Sequence, residues 1–223
     1  MDKNFVFISW GGTIISNGVY YERCAKRKGF TVIVGVDEAG RGPLAGPVVV
    51  AAVCLKSFKF KNRVDDSKKL TSLQRENAFF EIIKKSYFGI GVMNETAIDA
   101  VNISNAVKLA LDNAVMQLFK RLKKPRPSFK NTILFLDGRL CSSLGYPSKE
   151  IIGGDGRSLS IAAASIIAKV FRDRIMCIFD KVHPQYGFGV HKGYGTKKHF
   201  ERLARFGLSP IHRRTFCKKL EAR

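Results

Sequence analysis

Acid is what this chain is short of. Its 223 residues hold 18 Asp and Glu against 39 Lys and Arg, a formal charge of +21 and a pI near 10.0. That imbalance points to a polyanionic partner, with nucleic acid first. An anionic membrane surface is the rival, but no long basic amphipathic helix supports it; a merely solvated basic surface is the bland alternative. Long apolar runs are also missing: nothing approaches the ~20 residues that span a bilayer. Phe5–Trp10 is too short for a signal-peptide core and follows Asp2, so secretion is not expected and a cytoplasmic protein is. The five cysteines, Cys24, Cys54, Cys141, Cys177 and Cys217, are scattered and form no C-x-x-C pair. This argues against a disulfide framework and a zinc site, and fits a reducing compartment. There is no G-K-[ST] phosphate loop, no G-x-S-x-G elbow, no H-E-x-x-H and no dinucleotide fingerprint. Internal repeats and low-complexity segments are absent as well.

What is present is concentrated in Val34-Gly-Val-Asp-Glu-Ala-Gly-Arg-Gly-Pro-Leu-Ala-Gly-Pro47. Two adjacent carboxylates, Asp37 and Glu38, end an apolar run. Such neighbours repel and titrate abnormally unless a cation sits nearby. Gly40, Arg41 and Gly42 follow, offering bare backbone N–H groups and a guanidinium, which suit a phosphate or sugar edge. Carboxylates beside such a turn suggest phosphodiester chemistry. The tail reinforces this: Lys181–Arg223 carries eleven Lys or Arg, only Glu201 and Glu221 as acids, and all four histidines. A patch of that kind makes affinity fall steeply with salt.

Residues 1–29 read as an extension without clear period, and the folded unit, 30–223, is expected to begin near Phe30. Thr31–Asp37 and Val48–Leu55 read as buried strands, paired antiparallel because the link between them is short. Ser72–Lys85 reads as a helix and Tyr87–Met93 as a third strand. Thr96–Asp99 resembles a capping box, and Ile103–Leu122 has helical spacing. Asn131–Asp137 is a strand ending in a carboxylate. Glu150–Ile152 is a short strand candidate running into Gly153-Gly154-Asp155. Ser158–Phe179 is a long alanine-rich helix, and Lys197–Phe206 a short one in the basic tail. The alternation predicts an α/β fold with a mixed sheet. Ligands in such folds gather at the carboxyl ends of strands, where Asp37 and Asp137 sit and which Asp155 closely follows.

If Asp37, Glu38, Asp137 and Asp155 converge, they suit Mg²⁺ or Mn²⁺, which take carboxylate, water and phosphate oxygens. Blander readings stand beside this one. Asp155 between glycines fits a turn or helix cap, and Asp137 before Gly138 fits a plain turn.

These residues closely resemble ribonuclease HII, the type 2 ribonuclease H family, over about Val34–Phe216. V-D-E-A-G-R-G-P-L-A-G-P is the most specific signature. D-S-K-K-L at Asp66–Leu70, L-D-G at Leu136–Gly138, G-D at Gly154–Asp155, S-I-A-A-A-S-I-I-A-K-V at Ser160–Val170 and H-K-G-Y-G-T at His191–Thr196 follow in family order. The resemblance implies a ribonuclease H-like mixed sheet flanked by helices. It implies endonucleolytic cleavage of the RNA strand of RNA–DNA hybrids and cutting 5′ of single ribonucleotides in duplex DNA, leaving 5′-phosphate and 3′-hydroxyl ends. It implies two divalent metals on Asp37, Glu38, Asp137 and Asp155. It also implies junction reading by Gly40, Arg41 and Gly42, sugar packing by Tyr194, and phosphate contacts by Lys68 and Lys69. Without the family, Tyr194 could cap the core, Lys68 could be a solvated charge, and Ser165 packs within its helix. The family usually has Lys where this chain has Gly153, and no clamp-binding peptide of the usual form stands at the C-terminus. Monomer is the expectation.

Ribonuclease HIII shares the fold but carries a larger N-terminal domain than the residues before Phe30 can make. A non-catalytic binder on a decayed scaffold predicts a lost acid or lost G-R-G turn, and neither is lost. A junction resolvase of the same fold does not predict adjacent acids followed by G-R-G.

Overall fold

In the computed structural model, residues 18–221 are described. Two valine-rich stretches, β1 (Val32–Ala39) and β2 (Val48–Leu55), pair antiparallel, with Asp37 opposite Ala51 and Glu38 opposite Val50. β3 (Ser86–Met93) adds antiparallel to β2. β4 (Thr132–Asp137) lies parallel to β1, with Val36 beside Leu136, and β5 (Ser148–Ile151) lies parallel to β4. The strand order is β3-β2-β1-β4-β5. The expected α/β mixed sheet and the antiparallel first pair are both found.

The sheet is covered on both faces, so its central strands are continuous apolar runs rather than alternations. Helix α3 (Glu95–Arg121) packs Ala106, Ala110, Leu111, Ala114 and Leu118 onto Val32, Val34, Val36, Val48 and Val50. The opposite face meets α2 (Ser72–Lys85) and α4 (Leu159–Val182), where Ala163, Ala164 and Ile167 join Ala51, Val53 and Phe79. Small side chains on α4 let its backbone lie close to β1, which brings the helix start toward the strand ends.

Four details differ from the sequence reading. Helix α1 (Tyr20–Arg27) precedes Phe30, so the folded unit begins earlier than expected; residues 1–17 of the anticipated extension lie outside the described residues. The anchor of α1 is polar, which is why hydrophobic periodicity missed it. Buried Glu22 accepts hydrogen bonds through Oε1 from Ser158 Oγ (2.6 Å), Ser160 N (2.9 Å) and Ser160 Oγ (2.8 Å). Helix α3 starts at Glu95 behind Asn94, not at a capping box on Thr96, because the Asn94 carboxamide already caps Ala97 N–H at 2.9 Å. Within α3, Asn102 has φ 63° and ψ 163° and joins two helices end to end, the second beginning at Ile103 as the spacing predicted. Short α5 (Phe188–His191) and α7 (Arg214–Glu221) gave too little periodicity to be seen.

The basic C-terminal segment, including α6 (Lys197–Phe206), wraps the loop after β1. Leu44 N–H donates to Gly193 O (2.9 Å), Gly46 N–H to Ile211 O (2.8 Å) and Arg213 N–H to Leu44 O (2.8 Å).

Candidate active site

Parallel pairing of β1 and β4 sets the site. Because Val36 lies beside Leu136, the next residues, Asp37 near the carboxyl end of β1 and Asp137 at the end of β4, stand at the same level. The chain then passes through β5 into a 3-10 turn, Gly154–Gly156, that delivers Asp155. Gly154 N–H donates to Asp137 Oδ1 at 2.6 Å and ties that turn to β4. One carboxylate oxygen from each of Asp37, Asp137 and Asp155 lies within 4.8 Å of the others. Glu38 is not in this trio. Strand alternation places it opposite Val50, on the α3 face, whereas Asp37 opposes Ala51 on the α4 face. Its Oε1 instead lies 3.9 Å from the Arg41 guanidinium.

The electrostatics reflect crowding. Burial, then the charges of Glu38 and Asp137, push the Asp37 carboxyl well above the ordinary range, against hydrogen bonds from Ser165 and the Glu38 N–H. Burial likewise raises Glu38, with Arg41 opposing and Asp137 adding to the rise. Burial raises Asp155, helped by Asp66 and Asp137 and opposed by Lys68. Asp37, Glu38 and Asp155, each disfavouring its own negative charge in this way, suit a hard divalent cation. Asp66, which the sequence reading passed over as a candidate, is the nearest unassigned acid, and its carboxyl hydrogen-bonds that of Asp155.

The Gly40-Arg41-Gly42 turn is built from inside by two buried arginines that sequence reasoning also missed. Arg213 donates to Gly40 O (2.6 Å), Arg41 O (3.0 Å) and Gly46 O (2.7 and 2.9 Å). Arg172 donates to Pro47 O (2.9 Å) and Ala45 O (3.2 Å). Burial lowers the affinity of both guanidinium groups for their protons, Arg213 to about 10. A planar trans peptide points each N–H opposite to the preceding C=O. With the Gly40 and Arg41 carbonyls turned toward Arg213, the N–H groups of Arg41 and Gly42 point away from it, and neither has a partner among the described residues. Gly40 holds φ +92°, and a Cβ there would stand 1.9 Å from Arg172 Nε, so only glycine fits. No neighbour restricts Gly42.

Tyr194 is 45% exposed and its ring lies 5.8 Å from the Arg172 guanidinium, on the arginine that supports the turn. Its backbone carbonyl takes a hydrogen bond from His199 Nδ1 at 2.9 Å. His199 Nε2 meets His212 Nε2 at 3.0 Å, and His212 Nδ1 accepts the Ser209 N–H at 2.8 Å. That backbone donor assigns every proton: His212 is protonated on Nε2, donates to His199 Nε2, and His199 donates from Nδ1 to Tyr194. The histidines are therefore neutral scaffold rather than ligands. Lys68 stands near the acids. Burial works against its charge, but Asp66, Asp155, Asp37 and Asp137 prevail and raise its pKa. Lys69 Nζ lies 3.8 Å from Asp65. Ser165 Oγ lies 2.9 Å from Ser67 Oγ and faces Asp37, so it reaches beyond its own helix. Gly153 adopts φ 62°, with open space at its Cβ position, so the lysine usual in the family would fit sterically but at a strained backbone.

Comparison with known proteins bears on the family and the fold. The family model for ribonuclease HII matches residues 34–219. Ribonuclease HII of Acetivibrio thermocellus is 49% identical over 199 residues, spanning 89% of this chain and 74% of that protein. Ribonuclease HII of Acholeplasma laidlawii is 48% identical over 199 residues, 88% of this chain and 93% of that one. Among solved structures, ribonuclease H2 of Pyrococcus horikoshii superposes with a TM-score of 0.65 at 24% identity, covering 86% and 98% of the two chains. The ribonuclease HII of Archaeoglobus fulgidus, solved in complex with PCNA, gives 0.64 at 24% identity, covering 82% and 93%. The structural likenesses show a shared ribonuclease H-like fold; the family match and the identities over most of the chain show that it belongs to the ribonuclease HII family.

Proposed function

We propose that this chain is an endonuclease that hydrolyses the RNA strand of RNA–DNA hybrids and cuts 5′ of single ribonucleotides embedded in duplex DNA, and so removes misincorporated ribonucleotides and RNA primers. The observation that carries this reading is the trio of Asp37, Asp137 and Asp155 at the carboxyl ends of β1 and β4, beside a turn whose Arg41 and Gly42 N–H groups face outward. Asp37, Asp137 and Asp155 would hold a divalent cation and Glu38 would contribute to a second; the oxygen donor set favours Mg²⁺ or Mn²⁺. A divalent metal in such a site lowers the pKa of a water and neutralises charge on the phosphodiester.

The protein side of the reaction follows from geometry. The outward N–H groups of the turn approach a 2′-hydroxyl, which both donates and accepts and is what distinguishes RNA from DNA. Arg41 holds the adjacent phosphate. Tyr194, seated over Arg172, offers a face for the neighbouring deoxyribose. Lys68 and Lys69 contact phosphates near the acids. Water attack opposite the 3′ oxygen leaves 5′-phosphate and 3′-hydroxyl ends. The enzyme acts in the cytoplasm as a monomer; free thiols at Cys24, Cys54, Cys141 and Cys177 accord with a reducing compartment, and among the described residues no helix is long and apolar enough to cross a membrane.

A DNA duplex carrying one ribonucleotide tests this, incubated with Mg²⁺ and with Mn²⁺ beside Asp37→Asn. The expected result is a metal-dependent cut 5′ of the ribonucleotide that the variant does not make. Tight, salt-sensitive binding without a cut under either metal would instead identify a binding protein on a nuclease scaffold.

A further inference from the structure

A small cavity of about 100 Å³ lies on the α3 side of the carboxylate end; of its lining residues only Arg41 takes part in the chemistry above. Arg41, Ser104, Lys108 and Arg139 line it, with Val107 and Leu140 among its apolar walls. Both apolar residues are almost wholly buried, so the cavity is a formed feature of the core edge. Three cations converge here. Arg41 has only the 3.9 Å contact with Glu38, and Lys108 and Arg139 have no ion-pair or hydrogen-bond partner among the described residues. Positive charge gathered round one concave surface raises the local concentration of anions.

The backbone adds to this. Asn102 holds φ 63° and ψ 163°, a strained region other residues leave to glycine. The kink ends one helix and starts another at Ile103, with Asn102 Oδ1 capping Asn105 N–H at 3.1 Å. Ser104 therefore stands in a first helical turn, where the dipole is positive, and Lys108 follows one turn later on the same face.

We propose that this cavity is a phosphate subsite that takes one internal backbone phosphate of the bound duplex, away from the scissile bond, and fixes the register of the duplex relative to the acids. The placement supports a positioning role. Arg139 is two residues beyond Asp137 and Arg41 three beyond Glu38, so a phosphate held here is tied to the same two strand ends that carry the site. The inference rests on the function proposed above.

The test uses Lys108→Ala and Arg139→Ala in the full chain, each checked for an unchanged melting temperature. Binding of a ribonucleotide-containing duplex is measured across a salt series, with a set of duplexes in which single phosphates are replaced by neutral methylphosphonates. Each variant should lower the slope of log affinity against log salt by about one contact and weaken binding severalfold. One methylphosphonate position should weaken the wild type and leave both variants unaffected. Loss of that position's effect in the variants marks an internal phosphate; an effect confined to the duplex termini would overturn the assignment. Equal losses at every position would also overturn it, by reducing the pocket to a diffuse field. A wild type that cuts normally beside variants with an unchanged slope would reject the subsite alone. A wild type that neither binds nor cuts the duplex would reject the proposed function and the subsite with it.

Discussion

Asp37 shows how a single buried carboxyl can oppose stability. It is 5% exposed and pressed against Glu38 and Asp137. Its raised pKa means that the folded chain keeps a proton which the unfolded chain releases near its ordinary 3.8. Stability from this group therefore falls as pH rises from that value through the raised one. Asp37→Asn removes the repulsion while keeping the shape. We expect it to stabilise the metal-free protein at neutral pH by on the order of 1 kcal/mol and to abolish cleavage. Thermal melts of both proteins, with and without Mn²⁺, check this. Wild type should gain stability from the metal and release protons on binding it; the variant should start higher and gain less. A variant that melts lower than wild type would show that Asp37 is held mainly by its hydrogen bonds.

At the scale of elements, α1 is joined to the sheet by a polar clasp beside a small apolar contact of Tyr21 and Ala25. Glu22 receives the Ser158 and Ser160 hydroxyls and the Ser160 N–H at the start of α4, whose N-cap is Ser158. That start follows directly on the turn carrying Asp155. Glu22→Ala should strand several buried donors and cost about 1–3 kcal/mol, while Glu22→Gln, which keeps an acceptor, should cost less. Urea denaturation separates the two. Equal, negligible losses would return α1 to the status of a dispensable extension. The G-R-G turn obeys the same logic: Arg172 comes from α4, and Arg213 directly precedes α7, and together they satisfy the carbonyls of a loop more than a hundred residues away.

For the molecule as a whole, net charge and the C-terminal wrap decide behaviour in solution. His199 and His212 lie inside that wrap, and burial, then neighbouring histidine charge for His212, lowers each from 6.5 to about 4. Tyr186, Phe188 and His191 pack round them, His183 is the other histidine charge acting on His212, and among the described residues no acid acts on the pair. The unfolded chain takes up protons near pH 6.5, whereas the folded chain resists until about pH 4. Stability must therefore decline as pH falls through that window. Melting temperatures from pH 7 to pH 4 should show the decline, and His212→Gln should flatten it even if the variant is less stable throughout. An equally steep profile in the variant would place the acid sensitivity elsewhere.

Much of this was legible in the linear chain. Valine-rich β1 and β2, the helix over Ser72–Lys85 and the long alanine-rich helix announced themselves because hydrophobic periodicity and strand composition are local properties. The short link after β1 foretold an antiparallel pair, and Asp37, Asp137 and Asp155 could be nominated because they stand at or just beyond strand ends. Their meeting could not be read, because it depends on β1 and β4 lying parallel with Val36 beside Leu136, a register settled by packing between distant segments. Strand alternation turned Glu38 toward Arg41 and out of the trio, although it adjoins Asp37 in the chain. Arg172, Arg213 and Glu22 look like ordinary surface charges in a basic sequence. Only the folded chain reveals that they are buried, since their partners are backbone carbonyls and hydroxyls that carry no sequence signature. The chain by itself determined the sheet strands, the longer helices and the nomination of the acids, through local pattern and motif. Tertiary structure decided which acids meet and what holds the turn beside them, because both depend on contacts across the fold.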